Sequence, residues 1–124
     1  MISQRFFEEV FVTEIYKPVR ELGNIGTVID LGATTGEFSL WIYPQAEKIY
    51  AIEAQEKAFG YLKENVKDFP KIVPVFLAIT GENGEREVWG ETIGGSTVVL
   101  SQGGGVNKVK AQTLATFIKE NNIE

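Results

Sequence analysis

With 124 residues, 44% of them hydrophobic, the chain can build one modest core but not two of ordinary size. A formal charge of −5, with no run of Lys or Arg, leaves nothing to neutralise a phosphate backbone or an anionic leaflet, so neither nucleic acid nor membrane is expected as a direct partner. The absence of Cys and His excludes disulfides, thiol nucleophiles, imidazole bases and zinc sites of the usual ligands.

The first segment reads as helix, because Phe6, Phe7, Val10, Phe11, Ile15, Val19 and Leu22 recur at three- and four-residue spacing behind Ser3 as a plausible N-cap. Pro18 is expected to kink or divide it, Gly23 and Gly26 to end it, and its apolar stripe to face the core. Residues 1–9 lack a signal-peptide pattern and no apolar run reaches membrane-spanning length, which makes the cytoplasm the expected location. A strand follows at 27–31, then a glycine loop, then a short helix at 37–43 stopped by Pro44. Residues 48–54, "KIYAIEA", read as a second strand. Phe59, Leu62, Val66 and Phe69 mark one face of a second helix, with Pro70 as its stop. Residues 72–79, "IVPVFLAI", form a third strand, and Pro74 places it at a sheet edge because it cannot donate to a ladder. Strand, helix, strand, helix, strand is the order of a parallel α/β sheet with right-handed crossovers.

Beyond Ile79, Asn83 and Gly84 look like a hairpin turn, with "REVWGE" and "STVVL" as arms and 103–105 as a loop. "NKVKAQ" suits one more short strand, on which Lys108 and Lys110 form a solvated face. Thr113 as N-cap, with Leu114, Phe117 and Ile118, opens a final helix that runs out at Asn121 and Asn122. The expected organisation is one domain over 1–124: a helical segment at 1–26, a βαβαβ core at 27–79, and a hairpin with a final helix at 80–124.

The stretch "TVIDLGATTGEFS" at 27–39 carries the chemistry. A dinucleotide loop spaces three glycines as G-x-G-x-x-G and rests pyrophosphate on backbone N–H groups. Here Gly32 and Gly36 are present, but Thr34 stands where the second glycine would let the backbone approach phosphate. Asp30 at the mouth of the loop would repel phosphate charge and would suit a cation. S-adenosylmethionine meets both conditions, having an adenosine, no phosphate, a sulfonium and an ammonium. Glu53, 17 positions after Gly36 at the end of the second strand, stands where an acidic residue reaches a ribose and can accept from both hydroxyls. An ordinary tight βα turn, or a nicotinamide-binding fragment, are the plainer alternatives.

In order along the chain, "VIDLGATTGEFSLW", "IYAIEAQEKAFGYLKENV", "VFLAITGENGEREVW", "GGSTVVL" and "VKAQTLATFI" resemble the N-terminal two-thirds of FkbM-type methyltransferases, class I S-adenosylmethionine-dependent enzymes. The resemblance runs from about Thr27 to the last residue. It implies that Asp30, Gly32, Ala33 and Gly36 shape the loop around the methionine end of the cofactor, that Glu53 holds the ribose, and that Leu77 and Ala78 lie beside the adenine. Thr34 replaces the family's usual Asn, where its hydroxyl can still bond, and Ala54 replaces the Pro that usually follows the acid in the ribose pocket. Phe38, directly behind the loop, is a possible cofactor contact, whereas Trp41 and Trp89 read as core or edge cover.

The family's fold continues past the final helix into a fourth central strand beside the first. The sequence ends at Glu124 before it, so the expected fold is a Rossmann-like 3-2-1 sheet with flanking helices and an added hairpin, lacking those later strands. The first strand is then an open edge, and a homodimer through that edge or by element exchange is expected. The expected function is methyl transfer to a hydroxyl-bearing small molecule, with a non-catalytic module binding S-adenosylmethionine or S-adenosylhomocysteine as the alternative. Glu37, Tyr43 and Glu91 fall near the expected position of the methyl group, but each reads more simply as a solvated surface residue, and no catalytic residue is assigned.

Overall fold

The computed structural model describes residues 4–90, 97–99 and 105–124. The chain opens with a short helix α1 (Gln4–Phe7), a π-helical turn (Glu8–Val12) and helix α2 (Lys17–Arg20). Strand β1 (Ile25–Leu31) leads into helix α3 (Glu37–Ile42), a 3-10 turn at Tyr43–Gln45 and strand β2 (Ala46–Glu53). Helix α4 (Glu56–Val66) and strand β3 (Ile72–Phe76) complete a parallel sheet of order β1-β2-β3.

Burial explains this arrangement. Ile49, Tyr50, Ala51 and Ile52 are each 5% exposed or less, the continuous apolar run of a central parallel strand covered on both faces. Their side chains alternate between two cores. Ile49 and Ala51 pack with Trp41, Ile42, Leu62 and Val66 of α3 and α4. Tyr50 and Ile52 pack with Phe117, which belongs to the last helix, α5 (Leu114–Glu120). Three layers result, helix on sheet on helix. Pro74 lies opposite Ala51 in β3, the edge strand, as its missing N–H requires.

The expected strand at 72–79 is in fact two. The chain leaves the first sheet at Leu77, whose N–H donates to the Glu53 carbonyl at 3.2 Å, and β4 (Ala78–Ile79) enters a second sheet. That sheet also holds β5 (Gly84–Trp89), β6 (Thr97–Val99) and β7 (Asn107–Gln112), in the order β4-β7-β5-β6. The two arms read as a hairpin, β5 and β6, do pair antiparallel. Asn83 and Gly84 do not join them, however. They carry the chain from β4 to β5 across the gap that β7 fills, so a pairing of distant segments replaces the local turn.

The N-terminal segment departs most from its pattern. Val10 is buried and Val19 packs at the margin of the core, but Phe7, Phe11, Ile15 and Leu22 are 43%, 36%, 54% and 72% exposed. A π-helical turn and a left-handed Glu14 at φ 49° interrupt the helix, so the three-to-four spacing does not gather into one inward stripe. Gly26 does not end a helix either, since β1 already begins at Ile25. The expected cap Ser3 lies outside the described residues. At the other end the expected N-cap is present and the helix ends where expected. Thr113 accepts from the Thr116 N–H at 3.1 Å, and Asn122, left-handed at φ 52°, closes α5 through the Ile123 N–H to Ile118 carbonyl bond of 3.0 Å. No helix among the described residues is long and apolar enough to cross a membrane.

Candidate functional site

Between β1 and α3 the chain turns over five residues, and its backbone is largely consumed by the protein itself. The N–H groups of Gly32 and Ala33 both donate to the Ile52 carbonyl at 2.9 Å, and Gly36 N–H donates to the Ala33 carbonyl at 2.8 Å. Thr34 N–H donates to Glu53 Oε2 at 2.9 Å. Donors that a phosphate would need in a loop of this kind are thus already engaged.

Gly36 caps α3 with φ 99°, and a Cβ there would lie 3.0 Å from Leu62 Cδ1 and 3.3 Å from Val66 Cγ1. Both the left-handed backbone and the contact with α4 demand glycine. Gly36→Ala is therefore expected to destabilise the fold by about 2–4 kcal/mol in a denaturant titration. A loss below about 0.5 kcal/mol would show that the loop relaxes freely.

Thr34 is left-handed at φ 55°, an outlier for a β-branched residue. It is held there by its N–H bond to Glu53 and by its own hydroxyl, which donates to the Gly32 carbonyl at 3.0 Å. Asn adopts this backbone at lower cost. Thr34→Asn should accordingly stabilise the chain by about 0.5–1 kcal/mol, and a net loss would mean that the hydroxyl bond outweighs the backbone strain.

Two adjoining cavities flank this loop at the carboxyl ends of the parallel strands, where ligands of open α/β sheets bind. The first, about 260 Å³, is lined by Gly32, Thr34, Glu53, Ala54, Gln55, Leu77, Ala78, Ile79 and Val88, with Leu31 and Ile52. The second, about 310 Å³, is lined by Asp30, Gly32, Ala33, Thr34, Glu37 and Phe38, with Glu9, Val10, Tyr16, Ile29 and Leu31. Leu31, Gly32 and Thr34 belong to both, so the pair forms one cleft with a waist at the loop.

Glu53 anchors the first cavity. Its Oε1 accepts from the N–H groups of Ala54 at 2.9 Å and Gln55 at 2.8 Å, and its Oε2 accepts from Thr34. A carboxylate offers about four acceptor positions, so these bonds leave room for about one more, on Oε2. Direct acceptance from both hydroxyls of a ribose, expected from the sequence, is therefore reduced to one. Around it Ile52, Leu77, Ala78 and Val88 supply apolar walls.

Asp30 stands at the second cavity, half-buried, and accepts from the Ser39 hydroxyl at 2.7 Å. Loss of water raises its pKa to about 6 against the ordinary 3.8, with Glu37 and Glu53 adding repulsion and the Ser39 bond opposing them. Glu37 is itself buried at 2% exposure and takes a short hydrogen bond from the Thr35 hydroxyl. The simpler reading of Glu37 as a solvated surface residue is thus overturned. The signal missed was the neighbouring Thr35, whose hydroxyl lets a carboxylate enter the interior. Tyr43 lines neither cavity, because its ring packs edge-on against Phe69 at 5.1 Å. Glu91 lies outside the described residues.

Of the candidate cofactor residues, Asp30, Gly32, Ala33, Thr34, Phe38, Glu53, Ala54, Leu77 and Ala78 line one cavity or the other, and Gly36 shapes the loop from behind. Phe38 also packs edge-on against Tyr16 at 4.8 Å, so one of its approaches is taken. Glu9, Val10 and Tyr16 come from the N-terminal segment, which the sequence did not connect with the site. Trp41 is core at 3% exposure, as expected.

Fold and cleft together define a Rossmann-like α/β unit with a candidate ligand site at the strand ends. A comparison with known protein families finds no match, and none of the curated proteins matches. Among solved structures, the chain is similar to Trm5b from Pyrococcus abyssi, with 28% identity over 60% of this chain and 22% of that one, at a TM-score of 0.48. It is also similar to an rRNA methylase from Streptococcus thermophilus, with 19% identity over 61% of this chain and 41% of that one (TM-score 0.40). An S-adenosylmethionine-dependent methyltransferase from Clostridium acetobutylicum ATCC 824 shares 10% identity over 60% of this chain and 30% of that one (TM-score 0.39). The chain thus spans well under half the length of each of these structures.

Proposed function

We propose that the chain is the cofactor-binding portion of an S-adenosylmethionine-dependent methyltransferase of the FkbM type, acting in the cytoplasm on a hydroxyl-bearing small molecule. One observation carries this reading: the loop's N–H groups bond within the protein, while carboxylates line both cavities. A pyrophosphate would find few donors and meet Asp30 and Glu53; a ligand with hydroxyls at one end and positive charge at the other meets acceptors.

Glu53 would hold a ribose hydroxyl on its open Oε2 position, with the adenine against Leu77 and Ala78. Asp30, when ionised, would face the cationic methionine end. When bound, the cofactor supplies an electrophilic methyl group on a sulfonium. The protein's part is then orientation, since in-line displacement gains much of its acceleration from positioning. A hydroxyl acceptor must also lose its proton, and the Glu37 carboxylate is tied to Thr35. That bond favours the second reading, a module that binds S-adenosylmethionine or its demethylated product without chemistry.

Calorimetric titration with S-adenosylmethionine and, separately, NAD tests the site. Saturable binding of the first and not the second is expected; the reverse result would sink the reading. Labelled cofactor with a panel of hydroxyl acceptors then separates enzyme from module, because only the enzyme transfers label above background.

A further inference from the structure

Of the residues that α3 buries, Trp41 and Ile42 join the apolar core, and Glu37 is tied to the Thr35 hydroxyl. The remaining one, Ser39, is wholly buried yet polar. A buried hydroxyl costs stability unless it is bonded, and the bond of Ser39 leaves its own helix: Oγ donates at 2.7 Å to Oδ2 of Asp30 on β1. Nothing cationic lines the second cavity among the described residues. Its charged or titratable walls are Glu9, paired to Arg5 at 3.2 Å, with Tyr16, Glu37 and Asp30 itself, and Glu53 faces Asp30 from the end of β2. Glu37, Glu53 and burial all oppose charge on Asp30, whereas the interactions that favour the charged form come from Ser39, its hydroxyl first and its backbone N–H second.

We propose that Ser39 is a positioning residue for the cationic end of the ligand: its buried hydroxyl anchors Asp30 Oδ2 and holds this carboxylate ionised at the wall of the second cavity. This rests on the reading of that cavity as the place of the methionine end of S-adenosylmethionine. Ser39 lines neither cavity, so it acts on the ligand through Asp30 alone. A carboxylate offers about four acceptor positions, and the Ser39 hydroxyl takes one of them, so the anchored group can still accept from an ammonium. The role has a pH signature that packing lacks. A hydroxyl that only fills space changes affinity by one factor at every pH, whereas a hydroxyl that keeps Asp30 charged matters only where Asp30 would otherwise take up a proton.

The first test needs no ligand. Asp30 and Asp68 are the chain's two Asp residues, so isotope labelling of Asp carboxyl carbons gives two NMR signals, and Asp30→Asn assigns them. Ser39→Ala should raise the Asp30 midpoint above its parent value of about 6 by about one pH unit or more, the worth of one hydrogen bond to a charged group. The substitution removes a single buried oxygen and should fold; should it not, Ser39→Cys, whose thiol donates weakly, makes the same comparison. A midpoint that stays at the parent value overturns the proposal.

Calorimetry with S-adenosylmethionine reads the consequence. Relative to the parent, Ser39→Ala should bind about two- to tenfold more weakly at pH 7, where the raised midpoint leaves much of Asp30 protonated, and less than about twofold more weakly at pH 8.5, where Asp30 is ionised in both. The ligand's own ionisation cancels in each ratio, because parent and variant meet the same ligand. In an Asp30→Asn background the ratio should no longer change with pH. A ratio that is flat with pH in the native background, or that changes with pH equally without Asp30, sinks the role of Ser39 and leaves the cofactor site standing. A parent chain that fails to bind S-adenosylmethionine sinks the cofactor reading itself, and with it the ligand that Ser39 would position.

Discussion

Glu53→Ala is expected to weaken S-adenosylmethionine binding by about 10- to 100-fold, the worth of one charge-assisted hydrogen bond to a ribose hydroxyl. The same substitution should lower stability by about 2 kcal/mol, because Thr34, Ala54 and Gln55 all donate to this carboxylate. The two effects are separable. Glu53→Gln keeps one acceptor oxygen and most of the side-chain volume, so it should recover part of the stability while affinity stays low. Calorimetry and thermal melting on the three proteins decide the matter. Unchanged affinity in a folded Glu53→Ala chain would remove the ribose assignment.

The second large effect is a pH dependence set by Asp30. A cation gains from the ionised carboxylate only, so S-adenosylmethionine affinity should be flat above the raised pKa of about 6 and fall about tenfold per pH unit below it. For stability the sign is opposite. The folded state binds this proton more tightly than the unfolded chain does, so the contribution from Asp30 is most favourable below about pH 4 and is lost as pH rises to about 6. At neutral pH the ionised Asp30 costs on the order of 3 kcal/mol, from a shift of about two units. Asp30→Asn should therefore melt at a higher temperature at pH 7 and bind S-adenosylmethionine more weakly, the trade expected of a group kept for a ligand. A variant less stable than the parent, or one with unchanged affinity at pH 7, would count against this role.

Local signals in the sequence led to most of the core. β2, α4 and β7, the N-cap at Thr113, the end of the last helix at Asn121 and Asn122, and the edge position of Pro74 each follow from neighbours a few residues apart. The glycine loop was legible because left-handed backbone at Gly36 and a close approach to Leu62 leave a glycine in the sequence. Two features were not legible. The insertion of β7 between β4 and β5 depends on pairings such as Gly84 with Ala111, which no local pattern records. The N-terminal segment was misread because helical spacing alone does not say which side faces inward, and a π-helical turn shifts that side partway along. Its residues Glu9, Val10 and Tyr16 consequently reached the second cavity unannounced.

The turn after β2 is pinned from two directions. Glu53 ties it to the loop behind β1, while Asn107 of β7 donates to the Ala54 carbonyl at 3.0 Å and accepts from the Glu56 N–H at 3.0 Å. The second sheet lines the cleft directly with Ala78, Ile79 and Val88, and through Asn107 it also braces the turn beside it. Position 107 is thus one gear through which drift in the outer strands would be felt at the turn that carries Glu53.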